Sequence, residues 1–126
     1  MIFGIGTDIV EYARIKAMWQ RHGVRLAERM LSAQELPECL SHPNPARFLA
    51  KRFAAKEAFA KAVGSGLRHP VSLRRIRVTH DGLGKPMLQF DPELRTYLAQ
   101  LGVSGHHLSI SDERNMIVAF VVLETY

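Results

Sequence analysis

The sequence has a single cysteine, and none of its apolar runs approaches the roughly 20 residues that a membrane-spanning helix needs. Cys39 has no partner for an intrachain disulfide, which is typical of a reducing compartment, so we expect a cytoplasmic protein that does not insert into membranes. The apolar residues near the N-terminus follow no basic segment and are interrupted by Asp8, so no signal peptide is predicted. Repeats, low-complexity tracts and Gly/Ser linkers are also absent.

Length and charge narrow the class of protein. At 126 residues the chain fits one domain, which we expect to span 1–126. Lys and Arg outnumber Asp and Glu by 17 to 12, which gives a formal net charge of +5. Such a surface favours acidic partners, namely nucleic acid, phosphorylated small molecules or an acidic protein, without choosing among them.

The pattern of apolar residues, caps and turns predicts a mixed fold. Strands are expected over 2–10, 71–80, 85–90, 106–111 and 116–124, the last two as a hairpin. Helices are expected over 11–22, 45–63 and 91–102, with a shorter helical segment at 23–31. Ser32 and Glu35 have the spacing of a capping box, so another short helix is expected from about Ala33. Because roughly five strands and three or four helices do not alternate strictly, we predict an α+β domain with the long helix 45–63 packed on a mostly antiparallel sheet.

Glu57 lies on the face of the long helix where a solvated carboxylate is not expected. At 100° per residue it projects into a stripe of small and apolar residues around Phe53. A carboxylate among apolar neighbours needs a cation, a hydrogen-bond network or a proton. Lys61, one turn later, could supply an ordinary i,i+4 ion pair, so a purely structural role stays open.

Asp8 raises the same question in the first strand. It shares a face with Gly4, Gly6 and Val10, and glycines inside a strand indicate that something approaches the backbone closely. Asp8 either ends the strand and caps the next helix, or it joins Glu57 in a metal site. One or two carboxylates with phosphate oxygens and water form the usual shell of Mg²⁺.

The residues after the long helix suit the phosphate side of such a site. Lys61 is basic, and the segment Gly64 to Gly66 permits close approach of a ligand to the backbone. This is not a Walker loop, because it follows a helix and lacks the G-x-x-x-x-G-K-[ST] pattern. By itself, a GSG segment is typical of a helix end.

Four segments carry a family resemblance: GIGTDIVE at 4–11, FLAKRFAAKEAFAKAVGSG at 48–66, GKP at 84–86 and HLSIS at 107–111. In this order they resemble holo-acyl-carrier-protein synthase, the small bacterial type of 4′-phosphopantetheinyl transferase, over nearly the whole chain. The resemblance implies a Mg²⁺-dependent transfer of the phosphopantetheine arm of coenzyme A to a serine of apo acyl carrier protein. The other product would be adenosine 3′,5′-bisphosphate, and the reaction would support fatty acid biosynthesis.

The resemblance also implies a set of site residues. The family's metal carboxylates fall on Asp8 and Glu57, and Lys61 would add a positive charge toward the same phosphates. The proton of the acceptor serine could pass to Glu57, to Asp8 or to a metal-bound water, and the sequence does not choose. Arg52 would bind the 3′-phosphate of coenzyme A or form a structural ion pair. The contacts implied for coenzyme A are Arg52, Lys56, Lys61, Gly64, Ser65, Gly66, Pro86 and His107.

Three polar residues near the C-terminus carry less information. His106 and His107 are adjacent in a strand and point to opposite faces, so we do not expect them to ligate one ion. Family members often carry a second histidine or a similar residue after the S-x-S step, where Asp112 stands here. The resemblance therefore assigns Asp112 no role.

A basic stripe predicts where the carrier protein docks. Arg14, Met18, Arg21 and Arg25 follow a 4, 3, 4 spacing, which forms one face if the helix continues past Gly23. The stripe is either a solvated face or a docking surface for an acidic, helical partner such as an acyl carrier protein.

The last strand is apolar on both faces, so both faces must be covered. The domain's own helices could do this, or a second subunit could. The family resemblance implies a homotrimer with active sites between protomers.

Two rival functions use the same features. A nucleic-acid-binding module would use the net charge and the RRIR run at 74–77. The aromatic residues of this chain, however, do not interleave with basic residues as a platform for stacking bases requires. We therefore expect no nucleic-acid partner. A structural domain without activity would leave Glu57 unexplained.

Overall fold

Five strands and five helices follow one another irregularly in the computed structural model, which describes residues 1–126. The strands are β1 (Ile2–Glu11), β2 (Ile76–His80), β3 (Pro86–Phe90), β4 (Val103–Asp112) and β5 (Met116–Thr125). The helices are α1 (Tyr12–His22), α2 (Val24–Met30), α3 (Glu35–Leu40), α4 (Pro45–Val63) and α5 (Pro92–Leu101). The predicted α+β class is confirmed, and the short helices predicted at 23–31 and from about Ala33 are present as α2 and α3.

All strand pairs are antiparallel. One sheet has the order β1-β5-β4, and the second consists of β2 and β3. The strand expected over 71–80 is wrong in its first half, where residues Leu73–Arg75 form a 3₁₀ turn. This turn closes because the amide of Arg75 donates to the carbonyl of Ser72, at 3.2 Å. No helix has the length and apolar character needed to cross a membrane.

Helix α4 has the bounds predicted from its capping residues. The side chain of Asn44 accepts a hydrogen bond from the amide of Arg47 at 3.2 Å, Pro45 occupies the first turn, and Gly64 ends the helix. Twelve α4 residues are buried, because the helix lies across the β1-β5-β4 sheet and also contacts α1, α2 and α3. Some α4 side chains therefore face the sheet, and others face the helices α1, α2 and α3.

The glycines of β1 allow α4 to lie directly on that strand. A Cβ atom at Gly4 would stand 2.0 Å from the carbonyl oxygen of Ala62, and one at Gly6 would stand 2.0 Å from that of Ala58. Both distances lie far inside van der Waals contact, so only glycine fits. The close backbone approach expected at these two positions is confirmed, and the approaching group is the α4 backbone.

One face of the β1-β5-β4 sheet packs on α4, and the other face remains open. On β5, Ile117, Ala119, Val121 and Leu123 are fully buried, as expected for the core side. Phe120 on the opposite face is 39% exposed. Its neighbours on β1, Ile5 and Ile9, are 59% and 63% exposed. The chain's own helices therefore cover only one of the two apolar faces.

Candidate functional site

Asp8 lies on the face of β1 that looks toward α4. It pairs in register with Ala119 of β5, and its side chain is only 14% exposed. Strand β1 continues to Glu11, and the Asp8 side chain makes no capping hydrogen bond, so the alternative role as a helix cap is wrong. The Nζ atom of Lys61 instead donates to Oδ1 of Asp8 at 3.0 Å.

Glu57 is half-buried on the side of α4 that faces Asp8. The ordinary i,i+4 pair with Lys61 does not form, since the only carboxylate within 4.0 Å of Lys61 Nζ belongs to Asp8. Burial raises the pKa of Glu57, the negative charge of Asp8 raises it further, and Lys61 opposes both effects. Glu57 therefore sits in an environment that disfavours its bare negative charge, which a cation would relieve.

Asp8 and Glu57 open into one cleft of about 430 Å³. Phe53 and Ile15 contribute apolar walls, and Arg14 adds a positive charge at the first turn of α1. The full lining is Asp8, Ile9, Val10, Glu11, Arg14, Ile15, Phe53, Glu57 and Met116. No group of three or more histidine, cysteine or acidic side chains gathers as a closed metal cage. Two carboxylates at an open cleft match a hard cation that takes its remaining ligands from water and substrate oxygens.

Lys56 does not face this cleft. Its ammonium group is fully buried and donates to Glu35 Oε1 at 2.6 Å, to the Met30 carbonyl at 2.8 Å and to the Leu73 carbonyl at 2.9 Å. Three acceptors use all three of its protons. Burial lowers the pKa of Lys56 to about 8, and the charge of Glu35 opposes that effect. The expectation that Lys56 contacts coenzyme A is therefore wrong, because the group is already saturated inside the protein.

Arg52 shares this buried network and also reaches a second cleft. Its Nε atom lies 3.4 Å from Glu35 Oε2, and its guanidinium stacks on the ring of Phe48 at 4.2 Å. The side chain is 7% exposed, and Nε has no hydrogen-bond partner. The structural ion pair is thus present. The second cleft has a volume of about 380 Å³ and is lined by His42, Arg47, Phe48, Lys51, Arg52, His80 and Asp112.

The second cleft carries excess positive charge. Burial lowers the pKa of His80, and the charges of Arg52 and Lys51 lower it further, as expected beside cations. Asp112 forms an ion pair with Arg47 and lies 3.9 Å from Lys51. Arg47 also donates to the carbonyls of Glu113 and Arg114, and these hydrogen bonds connect the β4–β5 turn to α4. Asp112 thus has a structural partner in this chain.

The remaining residues expected at coenzyme A are not brought to the Asp8–Glu57 cleft. Gly64 to Gly66 follow directly after α4, and Pro86 begins β3. His107 pairs in register with Val122 on the open face of the sheet, and its Nε2 atom contacts Oε1 of Glu124. It therefore lies on the side of the sheet opposite Asp8.

His106 has a structural role. It lies on the inner side of β4, where its Nε2 atom accepts a hydrogen bond from the amide of Leu88 at 3.1 Å. The bond joins the two sheets. Burial lowers the pKa of His106, and the charge of His107 lowers it further. The prediction that the two histidines face opposite sides is confirmed.

The predicted basic stripe is interrupted. Arg14, Met18 and Arg21 lie on one face of α1, but Gly23 ends that helix with φ of 56°, and Arg25 belongs to α2. The single continuous stripe is therefore wrong, because the chain turns at the glycine. Met18 is half-buried and packs against the core, whereas the three arginines are exposed.

Glu35 is the polar residue whose place the sequence did not reveal. The expected exchange with Ser32 is present, since Ser32 N donates to Oε1 at 2.9 Å and Glu35 N donates to Ser32 Oγ at 3.3 Å. The same carboxylate also accepts from Lys56 and from the amide of Val78 at 2.9 Å. The capping pattern predicted the hydrogen bonds between Ser32 and Glu35. Nothing in the neighbouring sequence predicted the bonds from Lys56 and Val78.

Comparison with known proteins matches this fold and sequence to one family. Residues 4–120 match the family model described as 4′-phosphopantetheinyl transferase superfamily. The holo-[acyl-carrier-protein] synthase of Nitrosospira multiformis is 58% identical over 124 residues, covering 98% of this chain and 99% of that protein. The crystal structure of the holo-[acyl-carrier-protein] synthase of Neisseria meningitidis has a TM-score of 0.96 at 50% identity, covering 99% of this chain and 100% of that one.

A third relative was crystallised with a ligand. The holo-(acyl-carrier-protein) synthase of Bacillus anthracis, in complex with CoA (3′,5′-ADP), has a TM-score of 0.84 at 38% identity and covers 100% of this chain and 99% of that one. The matches extend over nearly the full length of both proteins in each comparison. The chain is a member of the 4′-phosphopantetheinyl transferase superfamily. Within this superfamily it belongs to the holo-[acyl-carrier-protein] synthase family, as the resemblance of its motifs implies.

Proposed function

We propose that residues 1–126 form one domain that transfers the 4′-phosphopantetheine arm of coenzyme A to a serine of apo acyl carrier protein. The observation that carries this proposal is the meeting of Asp8 and Glu57 at one cleft, with Lys61 bound to Asp8. Adenosine 3′,5′-bisphosphate would leave as the second product, and the modified carrier would serve fatty acid biosynthesis. A cytoplasmic location stays a prediction.

Mg²⁺ fits the donor set of the cleft. Two carboxylates near each other are hard oxygen donors, and Mg²⁺ prefers one or two of them with water and phosphate oxygens. Burial and the charge of Asp8 raise the pKa of Glu57, so a bound cation would stabilise its ionised form. When bound, the ion would polarise the pyrophosphate and stabilise the negative charge that grows on the leaving phosphate. Asp8 and Glu57 would hold it.

The protein's own groups would perform the rest of the reaction. Lys61 is half exposed, with a side chain 53% accessible, so its ammonium can serve Asp8 and a substrate phosphate. Asp8 and Glu57 both line the cleft, so the proton of the carrier serine would pass to one of these two carboxylates or to water. Phe53 and Ile15 would exclude water from one wall of the cleft.

The second cleft suits the 3′-phosphate of coenzyme A. Arg52 and Lys51 bring two positive charges to the lining of this cleft. An arginine fork suits a phosphate monoester, which carries several acceptor oxygens. Arg52 would then have both of the roles left open by the sequence, since its pairing with Glu35 holds the side chain in place.

The open face of the β1-β5-β4 sheet supports a homotrimer. Ile5, Ile9 and Phe120 form an exposed apolar surface that a second subunit would cover. His107 lies on that same face, so it would meet coenzyme A bound at a neighbouring protomer. Gly64, Ser65, Gly66 and Pro86 would complete the contacts with coenzyme A.

The acidic carrier would dock on α1. Arg14 lines the candidate active-site cleft, and Arg21 lies two turns further along the same face. Their guanidinium groups would pair with carboxylates of the carrier, beside Met18. Arg25 on α2 would extend this contact past the bend at Gly23.

Intact mass spectrometry of the carrier tests the reaction. Apo acyl carrier protein, coenzyme A and Mg²⁺ are incubated with the wild type, with Glu57→Gln and with wild type in EDTA. We expect the carrier to gain one phosphopantetheine only with the wild type and metal. An unmodified carrier, under conditions where a known transferase modifies it, would reject the proposal.

A further inference from the structure

A small polar depression lies where the start of α3 meets β2 and β3, apart from the two clefts described above. It has a volume of about 100 Å³. Three arginines and one acid line it, together with uncharged polar side chains. The residues that matter below are Arg74, Arg75, Arg77, Asp91, Ser32 and Gln89. We call this depression the arginine pocket.

The acid in the arginine pocket neutralises only one of the three arginines. Nη1 of Arg75 donates to Oδ2 of Asp91 at 2.7 Å, and it also lies 2.8 Å from Oε2 of Glu93. The other oxygen of Asp91 accepts from the amide of Leu94 at 2.9 Å, so this carboxylate is fully used. Arg74 is exposed and has no carboxylate within 4.0 Å. The pocket therefore has an excess of positive charge.

Arg77 has only weak partners within the protein. Its Nη1 atom lies 3.5 Å from Oε1 of Gln89, and its Nη2 atom lies 3.8 Å from Oε1 of Glu38. Both distances are longer than the roughly 2.7–3.2 Å of an ordinary N–H···O hydrogen bond. The Nε atom of Arg77 is buried and has no hydrogen-bond partner. Because a buried donor without an acceptor destabilises a fold, Arg77 needs an acceptor that this chain does not supply.

Ser32 adds a second donor that the protein leaves unused. Its side chain is 4% exposed, and its Oγ atom accepts a hydrogen bond from the amide of Glu35 at 3.3 Å. A hydroxyl group can donate one bond while it accepts another, and the Ser32 proton has no acceptor in this chain. The amide nitrogen of Gln89 is also free, since only its Oε1 atom is engaged. The pocket therefore presents several N–H and O–H donors without matching acceptors.

These donors and this volume fit a phosphate group. A cavity of about 150 Å³ holds one benzene molecule, which has six heavy atoms, so about 100 Å³ suits a group of roughly five. Phosphate has five heavy atoms, and its oxygens point to the corners of a tetrahedron, so it can accept from donors on several sides. A guanidinium group binds phosphate through paired hydrogen bonds. A planar carboxylate would leave more of these donors unused.

We propose that the arginine pocket binds one phosphate group, as inorganic phosphate or as the end of a small phosphate monoester, with Arg74, Arg77 and Ser32 as donors. No residue of the pocket lines the Asp8–Glu57 cleft or the second cleft, so the site is separate from the proposed transferase chemistry. The ligand would connect the start of α3 to β2. Through Ser32 it would also support Glu35, which holds the buried Lys56. The stability of the fold should therefore depend on the phosphate concentration.

Thermal unfolding in phosphate tests the site. The wild type, Arg77→Gln, Arg74→Gln and the matched control Lys51→Gln are measured at pH 7.5 in 50 mM inorganic phosphate and in NaCl of equal ionic strength. We expect phosphate to raise the Tm of the wild type by roughly 4 °C, the shift that a Kd of about 10 mM gives a domain of this size. Arg77→Gln and Arg74→Gln should lose most of this rise. Lys51→Gln should keep it, because Lys51 lines the second cleft and not the arginine pocket.

The comparison between variants separates binding from the general stabilisation that phosphate salts give to folded proteins, because that effect is common to all four proteins. A rise that Arg77→Gln and Arg74→Gln retain in full would overturn the inference. So would a rise that is lost in Lys51→Gln alone, since phosphate would then bind at the second cleft. Either result would leave the proposed transferase function intact.

Nuclear magnetic resonance gives a reading that does not depend on the stability of a variant. The ¹H–¹⁵N signal of the Arg77 Nε–H group, identified by its absence in Arg77→Lys, should move and saturate as inorganic phosphate is added to the wild type. Glycerol 3-phosphate separates the two sources of the group. An equal movement with both would show that the pocket accepts phosphate monoesters, and a movement with inorganic phosphate alone would show that it holds the free ion. A signal that moves with neither would contradict the proposal.

Discussion

Replacing Lys56 with methionine should weaken the fold while leaving the affinity for coenzyme A unchanged. The substitution removes the cation that Glu35 contacts at 2.6 Å, and it leaves the carbonyls of Met30 and Leu73 without that donor. Removing one partner of a buried ion pair typically costs about 3–5 kcal/mol. Glu35 keeps hydrogen bonds from two backbone amides and the charge of Arg52, so we expect the lower end, about 3 kcal/mol.

Urea unfolding followed by circular dichroism measures this loss. With an m value of about 1–3 kcal/mol/M, a loss of about 3 kcal/mol lowers the midpoint by roughly 1–3 M. All variants are compared at one protein concentration, because assembly would add to apparent stability. The coenzyme A KM is measured well below the unfolding temperature, where the variant remains folded.

Lys61→Met is the matched control on the same helix. Lys61 is half exposed, and its pair with Asp8 should contribute less than about 1 kcal/mol to stability. We expect this variant to keep the wild-type midpoint and to lose activity, the reverse of Lys56→Met. A Lys56→Met protein with wild-type stability and a raised KM for coenzyme A would refute the structural role of Lys56.

Three further predictions follow from the geometry of the site and the sheet. Glu57→Gln should abolish activity yet raise the melting temperature of the metal-free protein. Folding raises the pKa of Glu57 above 4.5, so ionisation of Glu57 destabilises the folded state. The gain in melting temperature of Glu57→Gln over the wild type should therefore grow as the pH rises through the pKa of Glu57 in the fold. An equal gain at pH 4 and pH 8 would contradict this. Arg14→Glu or Arg21→Glu should raise the carrier KM and barely change coenzyme A binding, and steady-state kinetics that find an unchanged carrier KM in both would reject α1 as the docking helix. Phe120→Lys should dissociate the assembly in light scattering coupled to gel filtration, because it places a charge on the apolar sheet face; a monomeric wild type would show that the trimer is wrong.

Features set by neighbouring residues could be predicted from the sequence. The bounds of α4 follow from Asn44, Pro45 and Gly64, which are capping signals within a few residues of each helix end. The inward direction of Asp8 and the close contact at Gly4 and Gly6 follow from strand alternation.

Features that depend on distant contacts could not be predicted. Helical projection places Lys56 off the apolar stripe, yet it is buried because Glu35, 21 residues earlier, supplies a countercharge. Residues 71–75 alternate like a strand but form a 3₁₀ turn whose Leu73 carbonyl bonds Lys56. The motif resemblance also extended coenzyme A contacts to Lys56, although a shared sequence motif includes structural residues as well as those that touch a ligand.

Metal binding in the presence of coenzyme A tests most directly whether Asp8 and Glu57 form a metal site. Mn²⁺ takes the same oxygen ligands as Mg²⁺, and the loss of its free signal in electron paramagnetic resonance reports binding without requiring turnover. We predict that the wild type binds Mn²⁺, that Asp8→Asn and Glu57→Gln bind it much more weakly, and that Lys56→Met binds it as the wild type does. Equal Mn²⁺ affinity in the wild type and in both carboxylate variants would contradict the account.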